Sequence, residues 1–288
     1  MEAQTRLPFK LAADLPVGHY ARKNLGYLIA ISEHAPCIYE TDDDNAPNDH
    51  WHLREPVTAA RRIATPGWCN VYRAFSDALI WPRGLPLDSI TAPPPWDTSA
   101  GVAALPQEHV RAPIQQGLAD GSPDVDAVWR LVLDQDFQFR RGESVVLGRK
   151  VWCPFNSQTT WWWPEAYPLL YLPSYCSFRM TDIWRSFVAQ RCLWELGCGV
   201  VFHAAEAVQE RNEHNLMRDF ADEVSGYLGN RKIAERLEAL SLKPGAGAVC
   251  DNLLTCYEAM VSGEFVGKQE MRLVAQWVDD LRAMETSR

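Results

Sequence analysis

His19-Tyr20-Ala21-Arg22-Lys23-Asn24-Leu25-Gly26-Tyr27-Leu28 opens a stretch whose continuation, Cys37-Ile38-Tyr39-Glu40-Thr41-Asp42-Asp43-Asp44-Asn45, decides how this chain reads. Apolar side chains recur at helical spacing through Ile31, so residues 19 to 34 read as a helix that Pro36 stops. A short apolar strand, 37 to 41, then runs straight into three aspartates. Helix, strand and acidic turn in that order point to an α/β sheet with charged groups at a strand's carboxyl end, where open α/β sheets collect ligands.

Working outward, residues 82 to 123 carry Pro82, Pro86, Pro93, Pro94, Pro95, Pro106, Pro113 and Pro123, and read as a long surface excursion. Strands are expected at 149 to 154, 175 to 180 and 199 to 203. A helix is expected from Ile183 to Leu196, capped by Thr181-Asp182, with Gly197 after its end. Helices are then expected at roughly 205 to 227, 230 to 240, 247 to 262 and 267 to 284. The chain therefore divides into an α/β body, 1–205, and a helical C-terminal extension, 206–288.

The 288 residues carry 28 Lys and Arg against 37 Asp and Glu, a formal charge of -9, which argues against a broad nucleic-acid surface. No apolar run approaches the ~18 residues that span a bilayer, and the first residues lack the order of a secretion signal. A soluble, cytoplasmic protein without a membrane span is the expectation. The eight cysteines show no Cys-x-x-Cys spacing, so reduced thiols rather than zinc ligands are expected.

In an extended backbone Asp42 and Asp44 face one side and Asp43 the other. Crowded carboxylates raise the energy of the fully ionised state unless a cation neutralises it, and Mg²⁺ or Mn²⁺ holding phosphate oxygens is the natural partner. An acidic surface turn is the alternative. Arg22, Lys23 and Asn24 stand at the start of the feeding helix, where cations and free backbone N–H groups gather around anions. Asn156, Ser157 and Gln158, beside Trp161, Trp162 and Trp163, suit sugar hydroxyls and a stacked sugar face, with plain core aromatics as the alternative. His50 and His52 lack a matching third ligand, whereas His203 ends a strand and is a candidate ligand from the far side.

The succession Ala-Arg-Lys-Asn-Leu-Gly, helix, strand and Asp-Asp-Asp resembles the nucleotide-sugar-binding core of GT-A glycosyltransferases. Together with Trp81 to Leu87, Val125 to Leu131, Pro154 to Thr160 and Thr181 to Ser186, it resembles the STELLO-type glycosyltransferase-like family across most of residues 8 to 210. The Asp triplet and Asp182-Ile183-Trp184 are distantly similar to reversibly glycosylated polypeptides, which include UDP-arabinopyranose mutases. The resemblance implies a GT-A-like sheet with flanking helices, shortened at its start because 41 residues precede Asp42. It implies that Asp42, Asp43 and Asp44, with His203 completing the shell, hold Mn²⁺ or Mg²⁺ and a diphosphate. It places Arg22 and Asn24 near the nucleotide and makes Asp182 the catalytic or acceptor-side carboxylate, while Lys23, Asn156 and Gln158 are the further candidates, from their own chemistry, for binding the nucleotide-diphosphate sugar. Arg83 falls where the mutase-like relatives place a reactive arginine; a structural turn is its other reading, as an N-cap is for Asp182. The implied activity is glycosyl transfer to a glycan, protein or small-molecule acceptor. A non-catalytic partner protein and a nucleotide-sugar mutase are the alternatives, and a homo-oligomer through the helical tail is left open.

Overall fold

A computed structural model describes residues 2–210, 212 and 215–286. Among these residues ten strands form in chain order: β1 Ile38–Thr41, β2 Asn45–Pro47, β3 Val57–Ile63, β4 Gly67–Trp68, β5 Gln107–Arg111, β6 Ile114–Gly121, β7 Val145–Leu147, β8 Val151–Trp152, β9 Thr159–Trp162 and β10 Val201–Gln209. The helices are α1 Glu2–Thr5, α2 Lys10–Asp14, α3 Lys23–Ser32, α4 Ala127–Val132, α5 Thr181–Leu193, α6 Leu216–Glu238, α7 Val249–Ser262 and α8 Glu270–Thr286. The main sheet has the order β1-β9-β6-β10-β7-β3-β5, with β2 added to β10, and β4 pairs β8 separately. The architecture is thus mixed α/β, a central sheet with flanking helices.

Strand direction explains where the site lies. β9 is antiparallel to both β1 and β6, and β6 is parallel to β10. The carboxyl ends of β1, β6 and β10 therefore reach one edge of the sheet, together with the amino end of β9. Asp42 follows β1, Ser122 to Asp124 follow β6, Gln209 ends β10, and Asn156 to Gln158 precede β9.

Several expectations are corrected. The stretch 82 to 123 is not all surface: it holds β5 and the central strand β6, whose middle is buried. Pro106, Pro113 and Pro123 bracket these strands without entering them, as proline's missing N–H requires. Residues 175 to 180 form no strand; Phe178–Met180 is a 3-10 turn leading into α5. Thr181 and Asp182 lie inside the first turn of α5, the capping position being Met180. Residues 205 to 209, expected in a helix, belong to β10, and α6 runs unbroken through Leu228 to Asn230. Residues 211, 213 and 214 of the expected helix at 205 to 227 lie outside the described residues.

α5 was expected to bury one face, yet all thirteen of its residues are buried. It lies between the 3-10 segment Pro164–Leu170 and the helices α6 and α7. One continuous core runs from Leu11 to Leu281, joining the tail helices to the body: Tyr171 meets Tyr257 of α7 at 5.2 Å and Trp277 of α8 at 5.9 Å between ring centres. Polar side chains on α5 survive burial by pairing. Arg185 reaches Glu40 of β1 at 2.9 Å, both side chains being 1% exposed, and its guanidinium stacks over Trp162. No helix among the described residues is long and apolar enough to cross a membrane.

Candidate functional site

At the edge where these strand ends meet is a cleft of about 260 Å³ whose walls include Asp42, Asp43, Asp44, Asp124, Gln158, Arg83 and Asp182. The triplet forms a turn: the Asn45 N–H donates to the Asp42 carbonyl at 3.3 Å, with Asp43 and Asp44 at its centre. The expected alternation of an extended strand ends at Thr41, and all three aspartates line the cleft.

Each aspartate has a different environment. Asp42 accepts from the Tyr20 hydroxyl at 3.1 Å and is paired with the Lys23 ammonium. Burial raises the Asp42 carboxyl above its ordinary value against the opposing pull of Lys23. Burial and the adjacent carboxylates also push the Tyr20 phenol well up, so it is a neutral donor. Asp44 accepts from Gln209 Nε2 at 3.0 Å, and Gln209 Oε1 in turn accepts from Gln158 Nε2 at 2.7 Å. Asp43 is exposed at the tip of the turn.

Arg83 is the centre of the opposite charge pattern. Its Nε and Nη2 donate to Asp124 at 2.8 and 2.9 Å, and Nη1 and Nη2 donate to Asp182 at 3.0 and 2.9 Å. Nη1 also donates to the Arg179 carbonyl. These five contacts match the five N–H donors of a guanidinium. Arg83 is thus a clamp, and its charged, fully engaged guanidinium carries no free lone pair for attack on a sugar. The turn that delivers it is dictated locally: Gly84 has φ +92°, and a Cβ there would stand 2.4 Å from Ile183 Cγ2 of α5. Asp182 is consequently held ionised. Burial opposes its charge, but Arg83, with Arg185 and Arg179 beyond, keeps the carboxyl below the usual range. Asn156 supports the clamp from below, its Nδ2 donating to Asp124 at 3.0 Å.

Other sequence candidates lie elsewhere. Asn24 is fully buried and exchanges hydrogen bonds of 2.8 Å with the Leu172 backbone, fixing α3 to the body. Arg22 points to Gln4 Oε1 at 3.1 Å, outside the cleft lining. His203 is buried away from the triplet with both ring nitrogens engaged, Nδ1 with Ser144 Oγ at 2.6 Å and Nε2 with Gln115 Oε1 at 2.9 Å. Burial and nearby Arg54 lower its pKa well below the ordinary value, which keeps the imidazole neutral but leaves it no lone pair directed at the cleft. Trp161, Trp162 and Trp163 are core residues. Sequence reading missed Asp124, Tyr20, Phe178 and Gln209; only Asp124, beside Pro123 at a strand end, carried a local signal.

Among the described residues no three His, Cys, Asp or Glu side chains converge into a complete metal cage. A Mg²⁺-type ion needs only one or two carboxylates when substrate phosphates and water fill its shell, and Asp43 and Asp44 on the cleft wall fit that requirement.

Fold and cleft together define a mixed α/β protein with carboxylates and an arginine clamp at the carboxyl edge of its sheet. The family described as STELLO glycosyltransferases matches residues 179–287, from just before Asp182 through the tail helices. The chain is 28% identical to "Probable glycosyltransferase STELLO1" of Arabidopsis thaliana across 99% of its own length and 38% of the relative's, and 27% identical to "Probable glycosyltransferase STELLO2" of the same plant across 98% and 38%. The likeness read from the motifs is therefore borne out over nearly the whole chain. It spans about 38% of the length of the curated relatives it matches.

Proposed function

We propose that the chain is a GT-A-like glycosyltransferase that binds a nucleotide-diphosphate sugar in the Asp42–Asp182 cleft and transfers the glycosyl group to an acceptor. The observation that carries this reading is the meeting, in one cleft, of the exposed acidic turn and an ionised, arginine-clamped Asp182. Asp43 and Asp44 would hold Mn²⁺ or Mg²⁺, which when bound neutralises charge on the diphosphate. Lys23 and the Tyr20 hydroxyl fix Asp42 and so set the pitch of the turn. Gln158, through Gln209, orients Asp44 in the same way.

Asp182 is a poor proton acceptor, because Arg83 holds its pKa down; its role is a fixed negative charge beside an anomeric carbon that becomes positive as the diphosphate departs. Arg83 is a positioning residue in this scheme. Arg130 and Arg179 also line the cleft, Arg179 being paired with the buried Glu223 at 2.9 Å.

A second reading, a non-catalytic partner of other glycosyltransferases, is favoured by the cleft's small volume, below the roughly 300–1,000 Å³ of ligand pockets, and by Lys23 already neutralising Asp42. Calorimetric binding of UDP- and GDP-sugars with Mn²⁺ separates the two. The transferase reading expects binding that needs the metal, is lost in Asp43→Asn/Asp44→Asn, and leaves the melting temperature within a few degrees. No binding by the intact chain would defeat it.

A further inference from the structure

The cleft does not end at the acidic turn. Ser122 and Gln209 line it on one side and on the other side line a hollow of about 830 Å³ bounded by Asp136, Gln138, Arg141 and Asn48. That hollow in turn shares Asp49, His50 and Arg141 with a third, of about 400 Å³, whose walls reach Trp51 and His203. The three adjoin in a row along β10, each sharing wall residues with the next, and are together termed the trough. From Gln209 to His203 the strand spans on the order of 20 Å at extended spacing, and bulges against β6 between His203 and Ala207 break the floor's regularity.

Its lining has a definite chemistry. The middle hollow is polar, with the carboxylates of Asp49, Asp120, Asp136 and Glu210 and the amides of Asn48 and Gln138 set against the single guanidinium of Arg141. Planar carboxylates and amides accept and donate in pairs, which matches adjacent hydroxyls on a sugar ring. The surplus of carboxylates disfavours an anionic occupant. Trp51, half-buried, stands at the far end, packed with Tyr39 and Trp161 at 5.8 and 5.7 Å.

We infer that this trough is the acceptor site and that it takes an uncharged oligosaccharide chain, its terminal residue entering the cleft past Gln209. The assignment rests on the transferase reading only for the word acceptor; binding of the chain stands separately. Gln209 is then the junction between the two substrates, since one amide touches both Asp44 of the acidic turn and Gln158.

The test is saturation-transfer NMR and calorimetry on the full chain with maltotetraose, xylotetraose, glucose, a tetragalacturonate and tetralysine, beside UDP-glucose with Mn²⁺. A neutral tetraose is expected to bind more tightly than glucose, and tetragalacturonate to bind least. Asp136→Ala/Gln138→Ala, at exposed positions outside the lining of the cleft that holds the acidic turn, should weaken the tetraose by about tenfold, the effect of roughly one lost hydrogen-bonded group, with UDP-glucose binding and melting temperature unchanged. Tetraose binding that is lost in this variant supports the trough even where UDP-glucose fails to bind, an outcome that defeats only the transferase reading. Absence of binding by either neutral tetraose, equal binding by wild type and variant, or preference for tetralysine would overturn the inference.

Discussion

Replacing Arg83 by Met tests whether the clamp holds the cleft together. Arg83 and its two partners are 7–8% exposed, so the substitution fills the space but strips two buried carboxylates of their shared cation. Removing one partner of a buried pair costs about 3–5 kcal/mol, chiefly through the uncompensated charge that remains. At about 2–4 °C per kcal/mol for domains somewhat smaller than this chain, the melting temperature should fall by roughly 6–20 °C at neutral pH. The sign of the pH dependence is more diagnostic. In the wild type the Asp182 carboxyl sits below its unfolded value of about 3.9, so its contribution is fully present above that pH and is lost as pH falls through the folded value. In Arg83→Met burial is opposed only by the weaker pull of Arg185 and Arg179 and raises it, so the folded variant takes up a proton more readily than the unfolded chain. Its stability then rises as pH falls from 7 toward 4, narrowing the gap to wild type. Urea melts at closely spaced pH values measure both slopes, and adding Asp182→Asn to the variant should restore much of the loss. A deficit under about 1 kcal/mol, or one constant from pH 5 to 8, would refute the clamp.

Asp126 caps α4, accepting from Trp129 N–H at 2.8 Å and Trp81 Nε1 at 2.7 Å, and burial pushes its carboxyl up to about 7. A raised acid destabilises the fold as pH climbs from about 4 to 7, so Asp126→Asn, which retains one capping oxygen for Trp129 but sets an amide donor against Trp81 Nε1, should flatten the melting curve's pH dependence in that window. Phe178 stands 55% exposed on the cleft rim, edge-on to Tyr20 at 5.7 Å. Phe178→Ala should leave stability within about 0.5 kcal/mol yet weaken sugar-nucleotide binding roughly two- to tenfold, the value of one aromatic contact; calorimetry and a thermal melt on the same sample read both.

Of the site, the sequence made legible what is built from neighbours along the chain. The helix ending at Ser32, the strand Ile38–Thr41 and the Asp-Asp-Asp turn follow from apolar spacing, Pro36 and a run of charge, and the motifs around them carry the family likeness. Gly84 and Asp182 were visible as residues, but their roles were not. Arg83 meets Asp124 forty-one positions away and Asp182 ninety-nine away, a junction no local pattern encodes. β6 was hidden because Gln115, Gln116 and Gly117 interrupt the apolar alternation that marks a strand, and each is buried only through partners elsewhere: Gln116 on Asn156, Gln115 on Glu55 and His203, and Gly117 beneath Glu206. The same holds for Asn24, Arg22 and His203, whose polarity suggested ligands. Tertiary structure gives them partners of their own: a buried amide or imidazole must satisfy every hydrogen bond, and the Leu172 backbone, Ser144 and Gln115 satisfy Asn24 and His203 within the fold, while Arg22 turns to Gln4 outside the cleft.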